Sequence, residues 1–216
     1  MEKIVREVDL FIFDLDGTLA DSKDDIKAAI NHALKSFGMK TLTDAEIREV
    51  VGNGITRLFK NMTGKSEEEK YETIRTYIEY LESHLLDTTA PFPGVIETLS
   101  SIAKRKAVVT NKLVRMAERV VTALGMADHI DLIVGSDSTP RMKPDPAPIH
   151  LALERLEVSP ERTVMVGDTV DDILSAKAAG VISCGVSYGF GQREDLKDAG
   201  AEIIIDSFSD LRFHFL

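Results

Sequence analysis

A single cysteine, Cys184, stands in 216 residues. That excludes an internal disulfide framework and fits a reducing compartment. Its setting, Val181-Ile182-Ser183-Cys184-Gly185-Val186, reads as a strand with a small buried residue in it. Basic charge is short as well: 26 Lys and Arg face 36 Asp and Glu, for a net charge of −10. Nucleic-acid partners are disfavoured by that balance, since polyanion binding relies on basic surface. Small anionic substrates are not, because local charge decides there. No apolar run approaches the ~20 residues that span a bilayer. The charged start Met1-Glu2-Lys3-Ile4-Val5-Arg6-Glu7 offers neither a signal-like apolar stretch nor a small-residue cleavage site. A cytoplasmic protein, monomer or homodimer, is expected. Histidines at ligand spacing are missing too: His32, His84, His129, His150 and His214 are scattered, which argues against zinc.

With 44% hydrophobic and 29% charged residues, the chain has the balance of an ordinary globular protein. Its most informative stretch is Phe11-Ile12-Phe13-Asp14-Leu15-Asp16-Gly17-Thr18, an apolar run that stops on two carboxylates. The run predicts a strand buried on both faces, with Asp14 and Asp16 at its C-terminal end. Acids beside a buried strand are costly unless a cation or a reaction needs them.

From Asp21 onward the period changes to helical. Ile26, Ala29, Ile30, Ala33, Leu34 and Phe37 predict one helix ending near Gly38. Thr43 with Glu46 forms a capping-box pattern opening a second, with Ile47, Val50 and Val51 inward. Gly52-Asn53-Gly54 interrupts it before Ile55, Leu58, Phe59 and Met62 resume the period. Ser66 with Glu69 opens a long helix carrying Tyr71, Ile74, Ile78, Leu81 and Leu85. After Pro91-Phe92-Pro93-Gly94, short β-rich runs alternate with amphipathic helices: Ala107–Val109, Leu132–Val134, Thr163–Val166, Val181–Val186 and Glu202–Ile205 are the expected strands. The fold class is therefore α/β: a Rossmann-like parallel-sheet core, with helices on both faces, and an inserted helical segment. The expected core is 1–19 and 90–216, and the expected insertion is 20–89.

Ligands collect at the carboxyl ends of such strands, and polar groups recur there. Strand one ends in Asp14 and Asp16, Val109 is followed by Thr110-Asn111-Lys112, Val134 leads to Asp137 and the Lys143 loop, and Val166 leads to Gly167-Asp168 with Asp171 and Asp172. Asp14, Asp16 and Asp168 offer hard oxygen ligands suited to Mg²⁺. Thr110 and Asn111 can donate to a phosphate, as can a helix N-terminus after them; Asn111 is equally an ordinary helix cap. Lys143 supplies positive charge against an anionic substrate. A carboxylate near a metal can attack phosphorus directly, and a second can protonate the leaving oxygen and then activate water.

This set resembles the haloacid dehalogenase superfamily over essentially the whole chain: Asp14-Leu15-Asp16-Gly17-Thr18, Thr110, Lys143 before Pro144, and Gly167-Asp168 with Asp172. The resemblance implies Asp14 as nucleophile, Asp16 as general acid and base, and phosphate contacts from Asp14, Leu15, Asp16, Thr110, Asn111 and Lys143. It implies Mg²⁺ held by the Asp14 carboxylate, the Asp16 carbonyl and Asp168, with Asp172 acting through water or by orienting Lys143. The insertion takes the place of the family's C1 cap, a lid over the site. Gly52-Asn53-Gly54, Thr110-Asn111-Lys112 and Tyr188-Gly189-Phe190-Gly191 are similar to the phosphoglycolate phosphatase subgroup, with Gly52, Asn53 and Gly54 as a substrate-facing loop. A phosphomutase of β-phosphoglucomutase type, and pyrophosphatases, nucleotidases and sugar-phosphate phosphatases, share several of these features. A receiver-like signalling domain also gathers acids, a Thr and a Lys, but phosphorylates an Asp after a middle strand and has no inserted lid. Arg57 and Lys112 each read as either a substrate contact or a solvated side chain. The apolar tail Arg212–Leu216 reads as packing on the core or on a neighbouring chain.

Overall fold

The computed structural model describes residues 6–52, 59 and 65–215. Six parallel strands form one sheet in the order β5-β4-β1-β6-β7-β8: β1 (Leu10–Phe13), β4 (Arg105–Val109), β5 (Leu132–Val134), β6 (Thr163–Gly167), β7 (Ile182–Val186) and β8 (Ile203–Ile205). Strand β1 is buried along its whole length and pairs in register with β4 (Phe13 opposite Val108) and β6 (Phe13 opposite Val166). The chain therefore builds outward from β1 on one side and then on the other. A strand order that reverses like this opens a crevice at the carboxyl end of the strand where it reverses. That strand ends at Asp14.

Alternation along β1 sends its side chains to two separate cores. Phe11 and Phe13 join α4 (Val95–Ser101), α5 (Val114–Ala123) and the C-terminal α9 (Arg212–Phe215). Leu10 and Ile12 join α6 (Ala147–Leu156) and α7 (Val170–Ala179) on the opposite face. A short α8 (Arg193–Asp198) precedes β8. The tail packs on its own core: the Phe215 ring meets Phe11 edge-on at 5.9 Å.

Three helices lie between the first strand and the rest of the sheet: α1 (Lys23–Ser36), α2 (Asp44–Gly52) and α3 (Glu67–Ser83). Both capping boxes form, Thr43 with Glu46 and Ser66 with Glu69. The inward face of α1 is the expected one, but that of α3 is shifted. Tyr71 is 65% exposed and lines a shallow depression of 230 Å³ with Ile74, Ile78 and Arg115. Leu81 and Leu85 are buried as expected, but Thr73 is buried where Tyr71 was expected, and Tyr77 and Tyr80 pack inward.

Where the chain leaves and re-enters the sheet domain, two-residue strands β2 (Ala20–Asp21) and β3 (Ala90–Pro91) pair antiparallel. On the helical side of this ribbon, Asp25 ties the two roots together. Its carboxylate accepts from Thr88 N (3.0 Å), Thr88 Oγ1 (2.6 Å), Thr89 N (3.0 Å) and Thr89 Oγ1 (2.6 Å). Neither feature has a sequence period, so the helix-only expectation for this region missed both. No helix among the described residues is long and apolar enough to cross a membrane.

Candidate active site

Strand β1 hands the chain to a tight turn in which Thr18, Leu19 and Ala20 N–H groups all point at the Leu15 carbonyl (3.3, 3.0 and 2.9 Å). Gly17 makes the turn possible at φ +89°, where a Cβ would also sit 2.2 Å from Asp168 Oδ2. The turn holds Asp14 and Asp16 apart. Asp14 is buried, while Asp16, partly exposed, faces Lys112 and Ser22.

Asp14, Asp168 and Asp172 offer carboxylate oxygens that all lie within 4.8 Å of one another. Lys143 is set among them: its Nζ donates to the Val109 carbonyl (2.7 Å) and to Asp172 Oδ1 (2.6 Å), and sits 3.0 Å from Asp14 Oδ1. Burial opposes its charge, but the Asp14 and Asp172 carboxylates outweigh that and hold the ammonium firmly protonated. Burial pushes the Asp14 carboxyl up to about 7; Lys143 works against this, and Asp172 and Asp16 add to it. Burial and the neighbouring Asp14 and Asp172 charges push Asp168 well above the ordinary carboxylate range, although the Phe190 N–H and Thr18 hydroxyl favour its anion.

The donor set fits a hard divalent cation. Asp14 Oδ1 is buried and, despite lying close to Lys143, receives no well-aligned hydrogen bond. Asp168 is aimed by Thr18 Oγ1 on Oδ1 (2.9 Å) and Phe190 N on Oδ2 (2.8 Å). Asp172 is more committed: Oδ1 takes Lys143, and Oδ2 takes Thr169 N (3.0 Å) and Thr169 Oγ1 (2.7 Å) in the capping box of α7. That geometry suits orienting Lys143 rather than direct ligation.

The other expected residues divide. Thr110 lies at the end of β4, its N–H on the Val134 carbonyl (2.9 Å) and its Oγ1 accepting from Lys112 N (3.2 Å). The Asn111 side chain is spent on the Lys143 backbone, donating to its carbonyl at 3.1 Å and accepting from its N–H at 3.0 Å. It therefore anchors the Lys143 loop, and its side-chain amide is not directed at a phosphate. At the helix N-terminus expected to bind phosphate, Asp137 Oδ1 accepts from Val114 N (2.9 Å), so this strand-end acid serves as a cap. Gly52 ends α2, whereas Asn53, Gly54 and Arg57 lie outside the described residues.

Several features of the site were not expected from the sequence. Lys112 Nζ donates to both Asp16 oxygens at 2.7 Å each, and Ser22 Oγ donates to Asp16 Oδ1 at 2.6 Å. Tyr77, on α3, has its phenol pushed up by burial and by the Asp16 charge. Tyr188 Oη donates to the Thr18 carbonyl (2.8 Å) while its ring packs on Phe92 at 4.8 Å, touching both chain crossings. Gly189 leaves room beside the acids, since a Cβ there would lie 2.3 Å from Asp168 Cβ. The Tyr188-Gly189-Phe190-Gly191 similarity was the one signal for the last two.

Comparison with known proteins agrees with this geometry. Residues 11–186 match the family model described as haloacid dehalogenase-like hydrolase. The chain is 36% identical over 200 residues to a phosphoglycolate phosphatase of Neisseria meningitidis, covering 88% of this chain and 85% of that one. It is 34% identical over 218 residues to a phosphoglycolate phosphatase of Colwellia psychrerythraea, covering 96% of each. A crystal structure from Haemophilus somnus, described as a predicted phosphoglycolate phosphatase, superimposes with a TM-score of 0.85 at 28% identity, covering 95% of this chain and 96% of that one. With the parallel sheet, the acids at its switch point and a family match spanning most of its length, the chain belongs to the haloacid dehalogenase-like hydrolases.

Proposed function

We propose that this hydrolase is a Mg²⁺-dependent phosphomonoesterase acting through an aspartyl-phosphate on a small organic phosphate, with 2-phosphoglycolate as the first candidate. The observation that carries the reading is Asp14: a buried carboxylate at the switch point, beside Lys143, with one oxygen lacking an aligned donor. The substrate is inferred from the names of the relatives. Residues 20–89 serve as the lid, swinging on the β2–β3 ribbon.

In this mechanism the Asp14 carboxylate forms a bond to phosphorus as the bond from phosphorus to the ester oxygen breaks. Asp16 gives its proton to that oxygen. Lys143 offsets the charge of the incoming phosphoryl group, helped by Thr110 and by the Leu15, Asp16 and Asn111 main-chain N–H groups. In the second half Asp16 takes a proton from water, the water oxygen bonds to phosphorus, and the bond from Asp14 to phosphorus breaks. Mg²⁺ would be held by the Asp14 carboxylate, the Asp16 carbonyl and Asp168, and would supply charge neutralisation at the phosphoryl oxygens. Asp172 keeps Lys143 in place.

The test is a panel of phosphate esters assayed with and without Mg²⁺, with Asp14→Asn alongside. Metal-dependent phosphate release lost in Asp14→Asn supports the mechanism, and full activity in that variant refutes it. If sugar phosphates or pyrophosphate rank above 2-phosphoglycolate, the substrate assignment falls while the mechanism stands.

A further inference from the structure

The proposed chemistry uses one ammonium, Lys143. A second, Lys112, is nearly as enclosed, with a side chain 4% exposed against Asp16 at 16%. Among the described residues these are the two cations that contact the site's carboxylates. They serve opposite sides. Lys143 lies between Asp14 and Asp172, where phosphorus would be held. Lys112 lies on Asp16, the group assigned to the leaving oxygen, donating to both of its oxygens at 2.7 Å. Whatever the ester oxygen carries must therefore emerge next to Lys112.

We propose that Lys112 receives a carboxylate on the leaving half of the substrate, exchanging its Asp16 partner for that carboxylate when the ester binds. The proposal rests on the phosphomonoesterase reading above and deepens it by naming the residue that selects phosphate esters of short hydroxy-carboxylic acids. Like replaces like in the exchange: an ammonium bonded to one carboxylate becomes bonded to another, so no buried charge is left alone on the lysine side. Asp16 is not abandoned either, because Ser22 Oγ holds Oδ1 at 2.6 Å. A lysine suits the task, its donors rotating on a flexible stem where an arginine fork would be fixed in one geometry. In a 2-phospho-carboxylate the acid lies two bonds from the ester oxygen, the same neighbourhood that Asp16 must reach. A leaving group without an anion offers Lys112 nothing to exchange for, and Asp16 then stays clamped.

The experiment compares 2-phosphoglycolate with ethyl phosphate, which has the same carbon count and no carboxylate, in wild type, Lys112→Met and Lys112→Arg. The expected result is that the ratio of kcat/KM for 2-phosphoglycolate to that for ethyl phosphate falls roughly 10- to 100-fold in Lys112→Met, as suits the loss of a charged hydrogen bond. Most of the change falls on KM for 2-phosphoglycolate, and Lys112→Arg restores a large part of it. Should Lys112→Met not fold by circular dichroism, Lys112→Gln reads the same ratio. An unchanged ratio, with both esters affected alike, overturns the assignment of Lys112 and leaves the esterase reading intact. Failure of the wild type to hydrolyse either ester, with another phosphate ester of the panel turned over, overturns 2-phosphoglycolate as the substrate and the assignment of Lys112 with it; no turnover of any ester overturns the esterase reading.

Discussion

Replacing Lys143 by Met should expose how much of this fold is strained by its own acids. The substitution keeps volume and burial but removes an ammonium bonded at 2.7 Å to the Val109 carbonyl and at 2.6 Å to Asp172, and lying 3.0 Å from Asp14. Three carboxylates with oxygens within 4.8 Å of one another are left without it. At an effective dielectric of about 20, two charges at that separation repel by about 3.5 kcal/mol. Breaking a buried pair by deleting one partner costs about 3–5 kcal/mol. The variant should lose about that much in metal-free buffer at pH 8.5, read as the urea midpoint multiplied by the slope. The pH dependence follows from the acids. Burial raises Asp14 to about 7 and lifts Asp168 too, so the folded state takes up protons that the unfolded chain, at its ordinary 3.8, does not. Folded stability therefore rises as pH falls through 7 toward 3.8, and without Lys143 to pull against burial the Asp14 proton goes on earlier still. At pH 5, well below the Asp14 value of about 7, that carboxyl is neutral in both proteins and the deficit should shrink. Millimolar Mg²⁺ at pH 8.5 should recover part of it by binding only the folded form. A loss below about 1 kcal/mol, or one equal at both pH values, would refute the view that Lys143 balances a crowded acid cluster.

Three further substitutions probe the surrounding framework. Asp25→Ala removes the tie to Thr88 and Thr89, which should cost roughly 3 kcal/mol and lower the melting temperature by about 6–12 °C in calorimetry. Burial acts to raise the Asp25 pKa, but the Thr88 and Thr89 hydrogen bonds outweigh it and hold it below 3.8; its contribution is therefore complete above 3.8, and the gap between wild type and variant should narrow as pH drops below that value. Gly189→Ala places a Cβ 2.3 Å from Asp168 Cβ and 2.4 Å from the Gly17 carbonyl. Overpacking of that kind costs about 1–3 kcal/mol, and calorimetric titration should show Mg²⁺ affinity at least ~10-fold weaker, since a displaced kcal or two converts to that factor. Tyr188→Phe removes only the bond to the Thr18 carbonyl and should cost about 1 kcal/mol, whereas Tyr188→Ala also loses the Phe92 contact and should cost about 3 kcal/mol or more; equal losses in urea denaturation would show that the ring contact contributes nothing.

The sheet was legible because burial on both faces leaves continuous β-rich runs, and the acids were legible because they interrupt such runs at their ends. Asp14, Asp168 and Lys143 come together as that logic required. What the sequence did not reveal was the pairing of polar groups across long separations. Lys112 and Asp16 are 96 positions apart, and no period links a lysine after one strand to an acid after another. Local rules also assigned residues to the wrong task where two structures satisfy the same pattern. Asp137 follows a strand and so looked like a site acid, yet it caps α5. Asn111 follows Thr110 and looked like a phosphate donor; its side-chain amide also makes two hydrogen bonds to the Lys143 backbone, a link across 32 positions that no local pattern shows. Tyr71 falls on a helical period, but a helix packed on one side has room for one stripe, and Thr73, Tyr77 and Leu81 take it. The β2–β3 ribbon is two residues long on each side, shorter than any window in which alternation can be read.

The charge balance around β1 joins these observations. Four carboxylates, Asp14, Asp16, Asp168 and Asp172, face two ammonium groups, Lys112 and Lys143, so the fully ionised site carries two negative charges in excess. Burial makes that excess expensive, and protons on Asp14 and Asp168 are the cheapest relief when nothing else is bound. A divalent cation cancels the same excess without protonating the nucleophile. On this reading the raised carboxyl groups and the misaligned Asp14 oxygen have one cause: a site assembled on rigid strands around a charge that the polypeptide does not itself supply. The two lysines then divide the rest, Lys143 facing the group that is transferred and Lys112 the group that leaves. Because both are tied to the sheet domain, a lid of the kind proposed for residues 20–89 would have only to close over a pattern of charge that the sheet already holds.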